Sequence, residues 1–142
     1  MICFPICFVI LILLPLCDGL FGIGRMQSVA VEGTLECNGE PARKVKVKLY
    51  DKGVLIDKKL DQGRTDSSGW FRLSGSKREI SRIDPKLNIY HKCAYHGPCK
   101  RKLSLDIPKK FITKGRYPKK TYNIGTLNLA SKFKGETIDC IN

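Results

Sequence analysis

What this chain is short of narrows its possibilities first. Acidic side chains are scarce: 13 Asp and Glu stand against 26 Lys and Arg, a formal net charge of +13. An excess of that size suits anionic partners: lipid headgroups, sulfated glycans or nucleic acid. No Asn-x-Ser/Thr triplet occurs, so N-glycosylation is not expected. Neither a G-x-S-x-G elbow nor a phosphate-cradling G-x₄-G-K-[ST] loop is present, which removes two sequence signs of catalysis. No long segment shows a helical apolar face, and no repeat, low-complexity tract or linker divides the chain. The one long apolar run, Ile2 to Cys17, is broken by Pro5 and Pro15. It falls short of the roughly 20 residues a spanning helix needs.

That run has the character of a secretory signal peptide over residues 1–19. Cys17 and Gly19 stand at the −3 and −1 positions of a cleavage before Leu20. The n-region carries no Lys or Arg, and an uncleaved signal anchor is the alternative. Cleavage would leave residues 20–142 as one domain, with Cys37, Cys93, Cys99 and Cys140 as an even set. A secreted address favours disulfides among these four, in any of three pairings. It also makes nucleic acid the least suitable anionic partner.

After residue 28 the apolar spacing is mostly two, as in half-buried strands. In "SVAVEGTLEC" one face holds Val29, Val31, Leu35 and Cys37, and "NGEP" then turns. In "KVKVKLYD" Val45, Val47 and Leu49 point inward, and Lys44, Lys46 and Lys48 form an outward basic stripe or a merely solvated face. "VLIDKKL", a stretch through Trp70 to Leu73, "LNIYHKC", "KRKLSLDIP" and "TYNIGTLNLA" complete the strands, with a bulge expected at Gly125. The prolines at 85, 98, 108 and 118 fall between them. The pattern predicts an all-β fold: a single antiparallel sandwich of seven to eight short strands.

The blocks "VAVEGTLECNGEPARKVKVKLYD", "TDSSGWFRLSG", "IDPKLNIYHKC", "YNIGTLNLA" and "GETIDC" resemble the nematode transthyretin-like family. The likeness covers nearly all of residues 20–142, and Lys92 and Asn123 stand where members often carry an acidic residue. The resemblance implies a secreted, immunoglobulin-like transthyretin sandwich with extracellular binding roles, phosphatidylserine recognition among them. Its distant fold relatives include hydroxyisourate hydrolases, whose separated His and Arg residues and C-terminal Tyr-Arg-Gly-Ser have no match in "ETIDCIN".

The segment "IYHKCAYHGPCKRK" holds both histidines and two cysteines. His91, Cys93, His96 and Cys99 could be zinc ligands, but zinc sites usually use two close pairs separated by a longer loop. In a secreted chain, a Cys93–Cys99 bridge closing a short hairpin at Gly97-Pro98 is preferred, leaving Cys37 to pair with Cys140. No metal or cofactor is therefore expected, and the C-x₅-C spacing does not suit a redox pair.

Catalysis is not expected, because no third group stands at a spacing that would orient the histidines. The preferred function is extracellular binding of an anionic lipid or glycan surface, with phosphatidylserine-containing membrane first and a cell-surface receptor as a further partner. Contact with the membrane would be peripheral. Candidate contacts are Lys44, Lys46 and Lys48 with Lys100, Arg101 and Lys102, supplemented by Lys109-Lys110 and Lys119-Lys120. Trp70 is either a headgroup-level anchor or, preferably, a core aromatic. A carrier of a small apolar ligand is the other alternative, on fold analogy alone.

Overall fold

The computed structural model describes residues 24–142; the expected signal segment 1–19 lies outside them. The strands are β1 (Arg25–Cys37), β2 (Glu40–Pro41), β3 (Lys46–Asp51), β4 (Lys58–Arg64), β5 (Trp70–Glu79), β6 (Pro85–His91), β7 (Lys100–Asp106), β8 (Thr113–Lys114), β9 (Tyr122–Asn128) and β10 (Thr137–Asp139). Seven of these have six or more residues, as the alternation predicts. One 3₁₀ turn, Lys109–Phe111, precedes β8.

The strands form two sheets. In the first, β1 lies between β2 and β5 and also pairs with β8 and β9; in the second the order is β10-β7-β6-β3-β4. Pairing is antiparallel except between β1 and β9, which run parallel. The expected bulge sits in that pair: between Glu32/Asn123 and Thr34/Thr126, two residues of β9 oppose Gly33 alone. Gly125 takes φ 76° there. A Cβ on Gly33 would lie 2.3 Å from the Ile124 side chain, so only glycine lets the two strands come this close.

Val29, Val31 and Leu35 of the first sheet face Val47, Leu49, Leu87, Ile89 and Leu103 of the second, all essentially without solvent contact. Each such side chain contributes about 1.5–3 kcal/mol relative to exposure. Phe71 joins this core, whereas Trp70, its neighbour on β5, is 43% exposed. The core assignment for Trp70 is thus corrected: strand alternation allows only one of the two rings to face inward.

The cysteines do not pair as the hairpin argument proposes. Cys37 bonds Cys93, and Cys99 bonds Cys140. Cys37 ends β1 on its inward side, and Cys93 continues the inward series Leu87, Ile89, His91 of β6. The two meet across the sandwich with Cα atoms 5.8 Å apart. Ile138 and Asp139 of β10 oppose Arg101 and Lys100. Cys140 therefore opposes Cys99 as the next pair in that register, at a Cα separation of 4.5 Å.

One bridge joins the sheets and the other joins neighbouring strands. Their sequence separations of 56 and 41 give about 4 kcal/mol each on the loop-entropy model, more than a seven-residue hairpin loop would contribute. Proteolysis of the unreduced protein should release peptides linked Cys37–Cys93 and Cys99–Cys140, which mass spectrometry can identify. The double substitution Cys37→Ser/Cys93→Ser should lower unfolding stability by about 3–4 kcal/mol in urea titration.

Candidate functional site

Alternation in the second sheet directs one set of side chains into the core and the other onto an outer face. Across that face runs a lateral row of Arg64, Lys46, Tyr90, Lys102 and Thr137, one from each of β4, β3, β6, β7 and β10. Beside it lies the row Gln62, Lys48, Asn88 and Ser104. Tyr90 points outward yet is only 2% exposed. The ammonium groups of Lys48 and Lys102 lie 5.5 and 6.0 Å from its ring centroid, where the ring quadrupole attracts them.

The Tyr90 hydroxyl accepts from Asn88 Nδ2 at 3.2 Å, and the Asn88 Oδ1 accepts from Ser104 Oγ at 2.7 Å. Burial pushes the Tyr90 phenol up to about 12, so it stays neutral beneath the lysines.

The cations on this face act on one another. Burial, then Lys46, Lys59 and Lys102, push Lys48 below its ordinary value. Lys100 is lowered by burial, then by Lys46, Arg64 and Lys92. Acidic groups nearby are already engaged. Asp139 accepts the backbone N–H groups of Ile141 and Asn142 at 2.8 and 2.7 Å. Asp57 holds Lys86 at 2.6 Å.

Of the six sequence candidates, Lys46, Lys48, Lys100 and Lys102 thus share one surface. Lys44 precedes β3 in an exposed turn at φ 56°, at the margin of the first row, where its carbonyl accepts Arg64 Nη1 at 2.9 Å. Arg101 is a correction: it is 3% exposed and faces the interior. Its Nε and Nη2 clasp Glu136 at 2.7 and 2.8 Å. Nη1 donates to the carbonyls of Cys93 and Leu129, and Nη2 also donates to that of Ser131. All five guanidinium N–H groups are met, so the ion lies inside the fold without an orphaned donor. Tyr90, Lys59, Arg64 and Lys92 are additions. Counting alternation outward from Leu87 and Ile89 would have marked Tyr90.

The histidine–cysteine segment is resolved by the same geometry. Both thiols are in disulfides, His96 is exposed, and His91 is buried beside Arg101. His91 Nδ1 accepts the Cys93 N–H at 3.0 Å, while Nε2 is buried without a hydrogen-bond partner among the described residues.

These features define a β-sandwich held by one inter-sheet and one cross-strand disulfide. A model of the transthyretin-like family matches residues 32–108. Transthyretin-like protein 5 of Caenorhabditis elegans is 45% identical over 123 residues, 84% of this chain and 88% of its own. Transthyretin-like protein 33 of the same worm is 45% identical over 119 residues, 82% and 83% of the two chains. Transthyretin-like protein 46 is 46% identical over 122 residues, 83% and 68%. The chain belongs to the transthyretin-like family. A Cyanothece 9R-lipoxygenase overlays 72% of this chain on 16% of its own, at 21% identity and a TM-score of 0.42, a likeness too slight to bear on function.

Two outcomes test the buried cluster. Arg101→Met, which strands Glu136, should cost about 3–5 kcal/mol in urea titration. Burial, then Arg101, against the opposite pull of Glu136, bring the His91 imidazole from its ordinary 6.5 down to about 4. Between those values the unfolded chain takes up a proton that the folded chain refuses. Stability should therefore fall as pH drops from 6.5 toward 4, by up to about 1.4 kcal/mol per unit. The Arg101 hydrogen bond holds Glu136 below its ordinary 4.5, so its own loss of stability begins only below that value. His91→Asn, whose amide oxygen can accept the Cys93 N–H, should flatten the slope between pH 6.5 and 4.5 in the same titration.

Proposed function

We propose that the protein is a secreted binding protein that recognises an anionic extracellular surface. Phosphatidylserine-containing membrane is the preferred partner, and a sulfated glycan is second. One observation carries this reading: Lys46, Lys48, Lys100 and Lys102 lie on one sheet face, where burial first and then neighbouring cations hold the ammonium groups of Lys48 and Lys100 below their ordinary value. An anion laid on that face relieves this repulsion, so binding and lysine protonation favour each other. The two disulfides suit an oxidising compartment. The Tyr90 ring and the Asn88–Ser104 hydrogen bonds stiffen the platform from which the lysines project.

No chemistry is assigned to the protein. His91 is sealed among Cys93, Arg101 and Glu136, and the outer face offers charge and hydrogen bonds.

The test is flotation of the oxidised, secreted protein with phosphatidylserine, phosphatidylglycerol and phosphatidylcholine vesicles. Selective flotation with phosphatidylserine is expected, weakening as salt rises. Lys46→Gln and Lys100→Gln should each weaken binding about fivefold, near 1 kcal/mol per cation. Equal binding to both anionic lipids would reduce the recognition to charge and favour the glycan. A failure to float with any vesicle would end the membrane reading.

A further inference from the structure

An apolar feature of the surface lies at one pole of the sandwich. Residues 52–57 join β3 to β4, so "VLI" lies in a loop rather than in the strand its composition predicts. Val54 is 101% exposed, Leu55 94% and Ile56 71%. Such contiguous aliphatic exposure calls for a partner in a way that scattered surface leucines do not.

The loop is braced at its base. Asp57 accepts the Gly53 N–H at 3.1 Å and pairs with Lys86 at 2.6 Å. A Cβ on Gly53 would fall 2.0 Å from the Ile56 carbonyl oxygen, so the turn is as tight as glycine permits. Below it, Lys52 reaches Asp106 at 2.9 Å and Asp84 at 3.7 Å, tying the ends of β7 and the β5–β6 connection to the same base. The three aliphatic side chains are held outward by this frame.

The β5–β6 connection adds Ile80, 76% exposed, at the same pole. It borders a concavity of about 250 Å³ whose lining includes Arg25, Arg82, Lys109 and Lys114. Among the described residues none of these four cations pairs with a carboxylate, and neither does Lys58. The acids of this pole are engaged instead: Asp51 and Glu79 by Lys77, Asp84 and Asp106 by Lys52, Asp57 by Lys86. The pole therefore presents aliphatic side chains beside unneutralised cations.

We infer that this pole docks on an anionic lipid bilayer, with Val54, Leu55 and Ile56 entering the acyl boundary while the Arg25–Arg82–Lys109–Lys114 concavity takes a lipid phosphate. The inference rests on the reading of an anionic membrane as partner, places the inserting contact at a second site, the pole opposite the disulfides and the Lys46–Lys100 face, and supplies what separates a membrane from a glycan. A sulfated sugar satisfies the cations but gives an aliphatic tip nothing to enter, whereas a bilayer satisfies both.

The experiment places a reporter at the tip. Leu55→Trp is made with Trp70→Phe, and the secreted protein is mixed with phosphatidylserine/phosphatidylcholine vesicles containing lipids brominated along the acyl chain. Insertion predicts a blue-shifted emission and quenching by the bromines. It also predicts that Val54→Ser/Leu55→Ser/Ile56→Ser binds the same vesicles at least about tenfold more weakly, with its urea midpoint unchanged. Arg82→Gln/Lys109→Gln should weaken binding while leaving the tip quenched in the fraction that remains bound.

Vesicle binding without quenching, and with the triple serine variant binding normally, would overturn the insertion but leave the anionic-membrane reading standing. Absence of vesicle binding by the unaltered protein would overturn both. Self-association without lipid, abolished by the serine variant whose vesicle binding is normal, would assign the tip to a second copy of the chain and overturn the proposal.

Discussion

The guanidinium of Arg101 is the constraint on which one half of the sandwich depends. A buried arginine is tolerable only when its charge and all its donors are met. Here a carboxylate and three carbonyls, from the Cys93 turn, the 129–131 segment and Glu136, must converge on one planar group. The end of β6, the end of β9 and the approach to β10 are thereby fixed to β7. The disulfides close in that neighbourhood. Cys93 supplies one of the carbonyls, and Glu136 stands just before the strand that leads to Cys140. The sulfur bridges thus lock segments that a polar network also holds in register, which is why removing the arginine and removing a bridge should both be felt.

The outer face of the second sheet presents the opposite physics. Burial first, and then repulsion from neighbouring cations, make Lys48 harder to protonate, while its ammonium and that of Lys102 gain attraction from the Tyr90 ring. A platform optimised for stability alone would alternate signs along cross-strand pairs. Lys100 follows that rule opposite Asp139, but Lys46 faces Arg64 and neither Lys48 nor Lys102 faces an acid; such local conflicts concentrate where a surface has a task beyond folding.

Much of the sandwich was legible because strand alternation is a local property. Val47 and Leu49, Leu103, and the irregularity at Gly125 could be placed from neighbouring residues alone. What escaped depended on neighbours distant in sequence. Pairing the cysteines required knowing that "TID" adds a strand beside β7 and that β1 faces β6, and neither fact is written in an apolar pattern. Arg101 was grouped with Lys100 and Lys102 because the three adjoin in a basic run. Counting back from the inward Leu103 would have turned its side chain to the core. Val54–Ile56 read as strand for the converse reason: apolar composition says what can be buried, and only the braced turn at Gly53 determines that it is not.

Both sulfur bridges secure the same end of the molecule, while the loops at the other end are closed by ion pairs and hydrogen bonds. This gives the two ends different tolerance to sequence change. Lengthening a connection at the bridged end would pull cysteines out of reach of their partners. The tip of the 52–57 connection can gain or lose residues at a cost confined to its own closure, whereas the 80–84 connection is anchored by the core residue Ile83. The sandwich therefore works as a chassis with interchangeable fittings at one end, so related chains could acquire different binding preferences there without a new way to fold.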